Sequence, residues 1–450
     1  MRVPQMPPDR NALLDRVMHK GADRLRLIFQ TSGMVDQKGR YLHWDELRRK
    51  KSPSGLTPEE VWVGTSMARE QAMQELPLRD KLGAPFRFCE PQLVRATLRD
   101  LDMNAGGALG SDGSSVGPAE AKRHLTRSLA EEPFASSFIE GAATTRQIAK
   151  KLIYEGRTPV TRDERMVLNN YLAMLFVKEN ANRPLDMEML LELHLIVTDG
   201  TMDNPKDAGR IRSADDVQVV DSTTNEVLHQ PPPYRELPER LKTLFDFANH
   251  NSEGVDWIHP LIKAIILHFM LAYEHPFVDG NGRVSRALFY WYACKAGYWL
   301  IEYVSISSVI AEAKVEYGRS FLFVETDNAD LTYFICNQLH TLKKAMDRLH
   351  SYVERRRAEV ETFNDRLLDR KGKDAFNARQ AYLVNEFVRQ RSSRITIGEH
   401  EERHNVSYLT ARSDLEDLSA RGYLRKSKIG RTSIYRPVQN IFERMTAEQS

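Results

Sequence analysis

The stretch HPFVDGNGRVSR, His275 to Arg286, gathers a histidine, an acid, two glycines around an asparagine, and two arginines. Turn chemistry explains the glycines, and solvation explains a lone arginine. Neither explains why a proton acceptor, a carboxylate, a backbone cradle and two cations share one short piece of chain. An apolar segment precedes His275 and helical periodicity resumes after Gly282, so the motif reads as a loop feeding a helix N-terminus. The first amides of a helix lack carbonyl partners and its dipole end is positive, which favours anions.

Each residue then has an expected task. Gly280 and Gly282 permit positive φ and close approach, so the amides of Gly280 to Arg283 are expected to form a phosphate-holding nest. Asn281 can brace the loop or donate to a phosphate oxygen. Arg283 and Arg286, three apart, share a helix face and can meet successive phosphates with paired donors. Asp279 beside polyphosphate suits Mg²⁺, which favours one carboxylate with phosphate oxygens and water. His275, with an ordinary pKa of about 6.5, can take a proton from an incoming hydroxyl. The combination predicts phosphoryl or nucleotidyl transfer. No GxxxxGK[ST] run and no GxGxxG after a strand competes for the nucleotide.

The elements that must position this loop are mostly helical. The chain has 450 residues, 41% apolar and 28% charged, a soluble globular composition long enough for about three domains. A net charge of +2 gives no global pull toward nucleic acid or membrane. Cys89, Cys294 and Cys336 show neither pairing nor metal spacing. The N-terminal MRVPQMPPDRNALLDR lacks a signal peptide's apolar core, and PLIKAIILHFMLAY (Pro260–Tyr273) is too short to span a bilayer. A cytoplasmic protein with no membrane partner is expected, and Pro260–Tyr273 is expected to be a buried helix.

Residues 1–103 read as a helical region, packed onto the core, with no recognisable chemistry. Residues 104–117 read as a flexible Gly/Ser-rich linker, 118–349 as the core around the loop, and 350–374 as a connecting helix. One polar insert, Arg210–Pro233, suggests a small hairpin from Val217 to Val227 with its turn at STTNE. Residues 375–450 change rhythm: three short helices, then RKSKIGRTSIYR alternating through a glycine turn.

The loop resembles the signature of the Fic family, HxFx[D/E]GNGRxxR, at His275, Phe277, Asp279, Gly280, Asn281, Gly282, Arg283 and Arg286. The resemblance covers about Ala119–Leu349 and implies a mainly α, Fic-type helical core with a β-hairpin flap. It implies a protein adenylyltransferase. His275 would deprotonate a Ser, Thr or Tyr hydroxyl of a target protein or of the chain itself, which attacks the ATP α-phosphate. Asp279 would hold Mg²⁺. Gly280, Asn281, Gly282 and Arg283 would hold the α- and β-phosphates, Arg286 the γ-phosphate, and Tyr317 would lie near adenine. SSFIEG resembles the family's inhibitory motif at Ser136, Glu140 and Gly141, which implies that Glu140 pairs with Arg286 and removes the γ-phosphate clamp. The target would dock along the flap. Removal of AMP, or transfer of another phosphate-linked group, is compatible with the same loop.

The C-terminal segment resembles a winged helix-turn-helix, with TARSDLEDLSARG as recognition helix. Arg421, Arg425, Lys426, Lys428, Arg431 and Arg436 have no acidic neighbour in their run. DNA contact or protein contact are the partner readings there, a homodimer is a further expectation for the chain without a place assigned to it, and a DNA-binding transcriptional regulator is the alternative to an enzyme. Asp414, Glu416 and Asp417 would repel a phosphate backbone if they faced it. HEERH (His400–His404) matches a zinc-protease motif but lacks a third ligand at a convincing spacing. His268 reads as a satisfied core histidine.

Overall fold

The computed structural model describes residues 2–105, 129–221, 224–250, 254–368, 375–388, 394–429 and 432–438. The chain divides into two units, Met1–Leu349 and His350–Ser450. As expected, it is mainly helical.

The first unit opens with α1 (Arg10–Met18), α2 (Ala22–Thr31), α3 (Trp44–Leu47) and α4 (Pro58–Glu70). Thr57 and Glu60 close a reciprocal cap on α4, with Pro58 in its first turn. Leu13, Val17, Ile28, Trp62 and Val63 form a local core. A hairpin follows that the sequence reading did not anticipate, β1 (Gln74–Arg79) antiparallel to β2 (Pro85–Phe88). Its inward residues Leu76, Leu78, Phe86 and Phe88 are buried against the rest of the unit. Next comes α5 (Gln92–Ala105), which runs two residues past the expected boundary; 106–117 of the expected linker lie outside the described residues.

The N-terminal region is locked to the core by buried polar bonds. Arg69 donates to the carbonyls of Met34 and Leu42 and to the Tyr333 hydroxyl, and its guanidinium lies 3.6 Å from the Tyr41 ring centroid. The Tyr41 hydroxyl donates to Asp330. A buried cation with every donor group directed at an acceptor is tolerable; the same cation with one partner removed is not.

The core comprises α6 (Glu131–Ile139), α7 (Arg146–Tyr154), α8 (Arg162–Glu179) and α9 (Met187–Thr198), followed by the flap strands β3 (Val219–Val220) and β4 (Val227–His229). Ser222 and Thr223 of the flap turn lie outside the described residues. Then come α10 (Leu237–Asn249), α11 (Pro260–Glu274), α12 (Asn281–Lys295), α13 (Ile306–Glu312), α14 (Lys314–Thr326) and α15 (Thr332–Leu368). The apolar run is the buried helix expected: from Leu261 to Leu271 every residue of α11 is buried, which is why it lacks a polar face. It packs on α12, whose Phe289, Tyr290 and Trp291 are buried too. Residues 350–368 of the expected connecting helix continue α15, which begins at Thr332, and 369–374 lie outside the described residues.

In the second unit, α16 (Ala378–Val388), β5 (Ile395–Thr396), α17 (Ile397–His404), α18 (Tyr408–Ala420), β6 (Leu424–Ile429) and β7 (Thr432–Pro437) enclose a core that includes Leu383, Phe387, Ala411, Leu415, Leu418 and Tyr435. The sheet order is β5-β7-β6, and β5 adds a strand the sequence reading lacked. Gly430 and Arg431, the expected turn, lie outside the described residues. Among the described residues no helix is long and apolar enough to cross a membrane.

Burial holds four histidines neutral, pushing His43 and His268 down to about 3 and His194 and His275 to about 4. An unfolded histidine takes its proton near pH 6.5, so between 6.5 and these values the unfolded chain binds more protons and acid destabilises the fold. Asp327, which burial raises to about 6, works the other way. Thermal melts should show a net loss of stability from pH 7 to pH 5, by up to about 2 kcal/mol per histidine. An unchanged or rising melting temperature would contradict this burial.

Candidate functional site

His275 ends α11 in the left-handed conformation, φ 47°, ψ 56°. A non-glycine residue held there is strained, and the surroundings must impose it. They do. The Arg212 guanidinium, fully buried, donates from Nε to the His275 carbonyl at 3.0 Å, from Nη1 to Ala214 O and Asp215, and from Nη2 to the Pro232 carbonyl. The Arg212 amide donates to Pro276 O at 2.9 Å. One side chain therefore ties the flap's two flanks to the turn carrying His275. The His275 Nδ1 lies 3.2 Å from Ala272 O, which assigns the proton to Nδ1 and leaves the Nε2 lone pair as the proton acceptor.

The loop after it is braced from inside. Asn281 accepts from the Phe277 amide at 2.9 Å and donates to the Phe277 carbonyl at 2.8 Å. Both polar atoms of its side chain thereby take part in bracing the loop. His194 of α9 stacks on Phe277, ring centroids 3.7 Å apart, accepts from the Gly209 amide and donates to Asp279 O at 2.9 Å. Gly280 has φ 87°, and a Cβ there would lie 2.9 Å from Thr198 Cγ2.

Two expectations about the cradle need correction. The Gly280 amide donates to Asp279 Oδ1 at 2.6 Å, which leaves the amides of Asn281, Gly282 and Arg283, at the opening of α12, for the expected nest. Gly282 is not at positive φ. A Cβ there would instead crowd Glu140 Oε1. A carboxylate thus rests directly over the first turn of α12.

The two arginines diverge. Arg283 donates to Val197 O at 3.1 Å and Asp279 Oδ2 at 3.0 Å, and its buried Nε has no partner among the described residues. An unmet donor at a helix N-terminus is the kind of group a phosphate oxygen satisfies. Arg286 is 2% exposed and donates to Ser136 Oγ from Nε and Nη2 at 3.0 Å, to Ser136 O at 3.2 Å and to Glu140 Oε1 at 2.8 Å. Burial opposes its charge, but Glu140 and the neighbouring Tyr317 and Glu132 outweigh that, and its pKa is raised.

The helix that delivers Glu140 is itself pinned. Glu132, fully buried in α6, accepts from the Ser305 hydroxyl and from the amide and hydroxyl of Ser307. Asn170 donates to Ser137 Oγ at 2.7 Å. Gly141, φ 96°, ends α6, leaving Glu140 at its last turn. Ser136 therefore acts inside α6 as an acceptor for Arg286.

Asp279 is half exposed. Among the described residues no group of three His, Cys, Asp or Glu side chains could hold a metal. A single exposed carboxylate beside a phosphate cradle nonetheless fits Mg²⁺, whose remaining ligands are phosphate oxygens and water. The Tyr317 hydroxyl is hydrogen-bonded to His268 Nε2 at 2.9 Å and its ring packs on Phe321 and Phe334. His268 Nδ1 is buried without a partner among the described residues, so this histidine is only half satisfied, contrary to expectation. His400 faces Asp414 at 3.2 Å and His404 packs edge-on to it, a structural pair.

Residues 184–293 match the sequence model of the Fic/DOC family. Residues 184–293 are thus similar to the Fic/DOC family. It is 31% identical over 193 residues to the protein adenylyltransferase Fic of Drosophila willistoni, covering 40% of this chain and 35% of that relative. It is 26% identical over 191 residues to the protein of the same name from Nematostella vectensis, covering 41% and 42%. The chain thus spans less than half the length of these relatives. Among solved structures it is similar to a Fic family protein from Desulfovibrio desulfuricans G20, at 21% identity, TM-score 0.46, with 78% of this chain and 96% of that one covered. It is also similar to a Fic domain containing signaling protein from Bacteroides thetaiotaomicron, at 20% identity, TM-score 0.47, covering 57% and 97%.

His194 and Arg212 escaped the sequence reading; the glycine and two arginines of AGRIR were the signal that could have marked the second. Arg212→Ala should free the turn and let the His275 imidazole return toward water. In an NMR titration His275 should titrate near pH 4 in the wild type and shift toward about 6.5 in the variant. The same value in both proteins would remove Arg212 from this role.

Proposed function

We propose that this Fic protein transfers AMP from ATP to a side-chain hydroxyl of a protein, and that Glu140 restrains the reaction. The observation that carries the reading is the Glu140 carboxylate over Gly282 and on Arg286, an intramolecular anion beside a neutral histidine. The named activity of the Drosophila and Nematostella relatives supports it.

In this reading His275 Nε2 takes the proton as the hydroxyl oxygen forms its bond to the α-phosphorus. The bond from that phosphorus to the bridging oxygen breaks, and pyrophosphate leaves. The amides of Gly282 and Arg283 and the unmet Arg283 Nε–H bind phosphate oxygens, where charge accumulates in the transition state. Asp279 would hold Mg²⁺, which when bound neutralises phosphate charge. Arg286 can clamp the γ-phosphate only when Glu140 releases it, because one guanidinium edge cannot serve both anions. The exposed Val220 and Val227 on the flap strands offer an extended target segment a main-chain surface.

Glu140→Gly should raise AMP transfer to targets, or to the chain itself, by at least about tenfold, equivalent to about 1.4 kcal/mol. Incubation with α-labelled ATP measures it, and an unchanged rate would remove Glu140 from the restraint. His275→Ala in the activated background should abolish labelling with the melting temperature preserved. Transfer that survives this substitution would overturn the assignment of the base.

A further inference from the structure

The N-terminal region, expected only to pack on the core, reaches the transfer site at the turn between β1 and β2, residues 80–84. The turn is closed by its own bonds. Asp80 Oδ1 accepts from the amides of Leu82 and Ala84 at 2.8 Å, the Asp80 amide donates to Ala84 O at 2.8 Å, and Gly83 takes φ 87°. From this turn the Lys81 amide donates to the Tyr273 hydroxyl at 2.9 Å, and Lys81 Nζ donates to the Gln230 carbonyl at 3.2 Å. Tyr273 lies in the last turn of α11, and Gln230 follows β4, the outgoing strand of the flap. One turn therefore holds both the helix that ends at the base and the strand that leaves the flap.

A buried ion pair completes the join. Glu274, 2% exposed and adjacent to His275, accepts from Arg240 of α10, from Nε at 2.6 Å and from Nη2 at 3.0 Å. A carboxylate buried that deeply requires a cation. The same guanidinium donates from Nη2 to Arg79 O at 2.6 Å and from Nη1 to Asp80 O at 3.2 Å. Carbonyls of the hairpin thus satisfy donors that Glu274 leaves over. Phe86 of β2 packs edge-on to Tyr273, ring centroids 5.1 Å apart. On the flap side His229 donates from Nε2 to the Tyr273 carbonyl at 2.8 Å. Its Nδ1 lies 2.8 Å from Glu325, which Lys81 Nζ approaches to 3.7 Å. The β1–β2 turn, the end of β4 and the last turn of α11 are joined in one closed ring of polar contacts.

We infer that the β1–β2 turn is a positioning element of the transfer site. Through Lys81 and Arg240 it keeps the outgoing flap strand in register with the last turn of α11, and so keeps an acceptor hydroxyl on the flap within reach of His275 Nε2. Arg212 ties the flap to the His275 and Pro276 carbonyls; the hairpin ties it to Tyr273 and Glu274, on the other side of the base. The inference rests on the AMP-transfer reading and adds to it how the acceptor is placed. Displacement of a reacting group by about 1 Å costs on the order of a hundredfold in rate, whereas water needs no flap to reach the α-phosphorus. A loosened strand therefore loses protein transfer before it loses hydrolysis of ATP to AMP and pyrophosphate. In that hydrolysis the water oxygen bonds to the α-phosphorus, the bond to the bridging oxygen breaks, and His275 Nε2 takes the proton.

The test uses the full chain carrying Glu140→Gly, with α-labelled ATP and the chain itself as acceptor. Protein-bound and free AMP are counted in one reaction, with His275→Ala as the blank. Arg240→Ala, and separately Lys81→Ala with Tyr273→Phe, should raise the ratio of free to protein-bound AMP by at least about tenfold. A merely structural role lowers both products together and leaves that ratio alone. Leu82→Ser, at the 87% exposed tip of the same turn, should leave it unchanged. Arg240→Ala strands a buried carboxylate; if it melts early, the double variant, which buries no charge, decides. An unchanged ratio in a variant whose melting temperature matches the parent would overturn the inference. A rise in Leu82→Ser as large as in the double variant would overturn it too, and would assign the turn to contact with the acceptor. Absence of protein-bound AMP in the Glu140→Gly parent would remove the AMP-transfer reading, and this inference with it.

Discussion

A guanidinium that is 2% exposed cannot be left without an anion. Arg286 sits at the first turns of a helix whose amides also seek negative charge, and Glu140 supplies it. Much of the neighbouring structure serves that contact. A Cβ on Gly282 would crowd the carboxylate in its present position. Gly141 must end α6 so that Glu140 can turn in. Glu132, buried under Ser305 and Ser307, fixes the helix that carries it. In the proposed reading a phosphate is the other partner for the same guanidinium. The balance between the two is a difference of similar interactions, so a change of about 1.4 kcal/mol shifts it tenfold.

The imidazole is prepared separately. Its strained backbone, the Arg212 bonds to its carbonyl and to the flap, and a neutral ring with a free Nε2 form one assembly. His194 holds the far side of the loop from α9. Cradle and base are thus positioned by different elements, the former by α6 and α9, the latter by the chain flanking the flap.

The chemistry of the loop was legible because its residues are adjacent in sequence and helix-terminus physics is local. The buried helix before it was legible for the same reason. Glu140 was legible only through resemblance, since nothing near it in sequence says what it faces. Glu132, His194 and Arg212 were not legible, because their partners lie 173, 85 and 63 residues away. For Gly282 the expected positive φ is absent, while the close approach expected there is made by the Glu140 carboxylate. The β1–β2 hairpin was missed because each strand is short, and Pro77 interrupts the alternation. In the second unit the helices and ladder followed from periodicity, but the burial of Asp414 depended on Arg379 and His400, which periodicity does not pair.

The central claim is that one guanidinium and one helix terminus accept either the Glu140 carboxylate or a nucleotide's phosphates. A crystal structure with a non-hydrolysable ATP analogue and magnesium, determined for wild type and Glu140→Gly, examines it directly. The account predicts phosphates on the amides of Gly282 and Arg283, Arg286 on the terminal phosphate and His275 Nε2 facing the α-phosphorus in the variant, and none of this pose in the wild type while Glu140 holds Arg286. A nucleotide bound elsewhere, or the same pose with Arg286 still paired to Glu140 in the wild type, would contradict it.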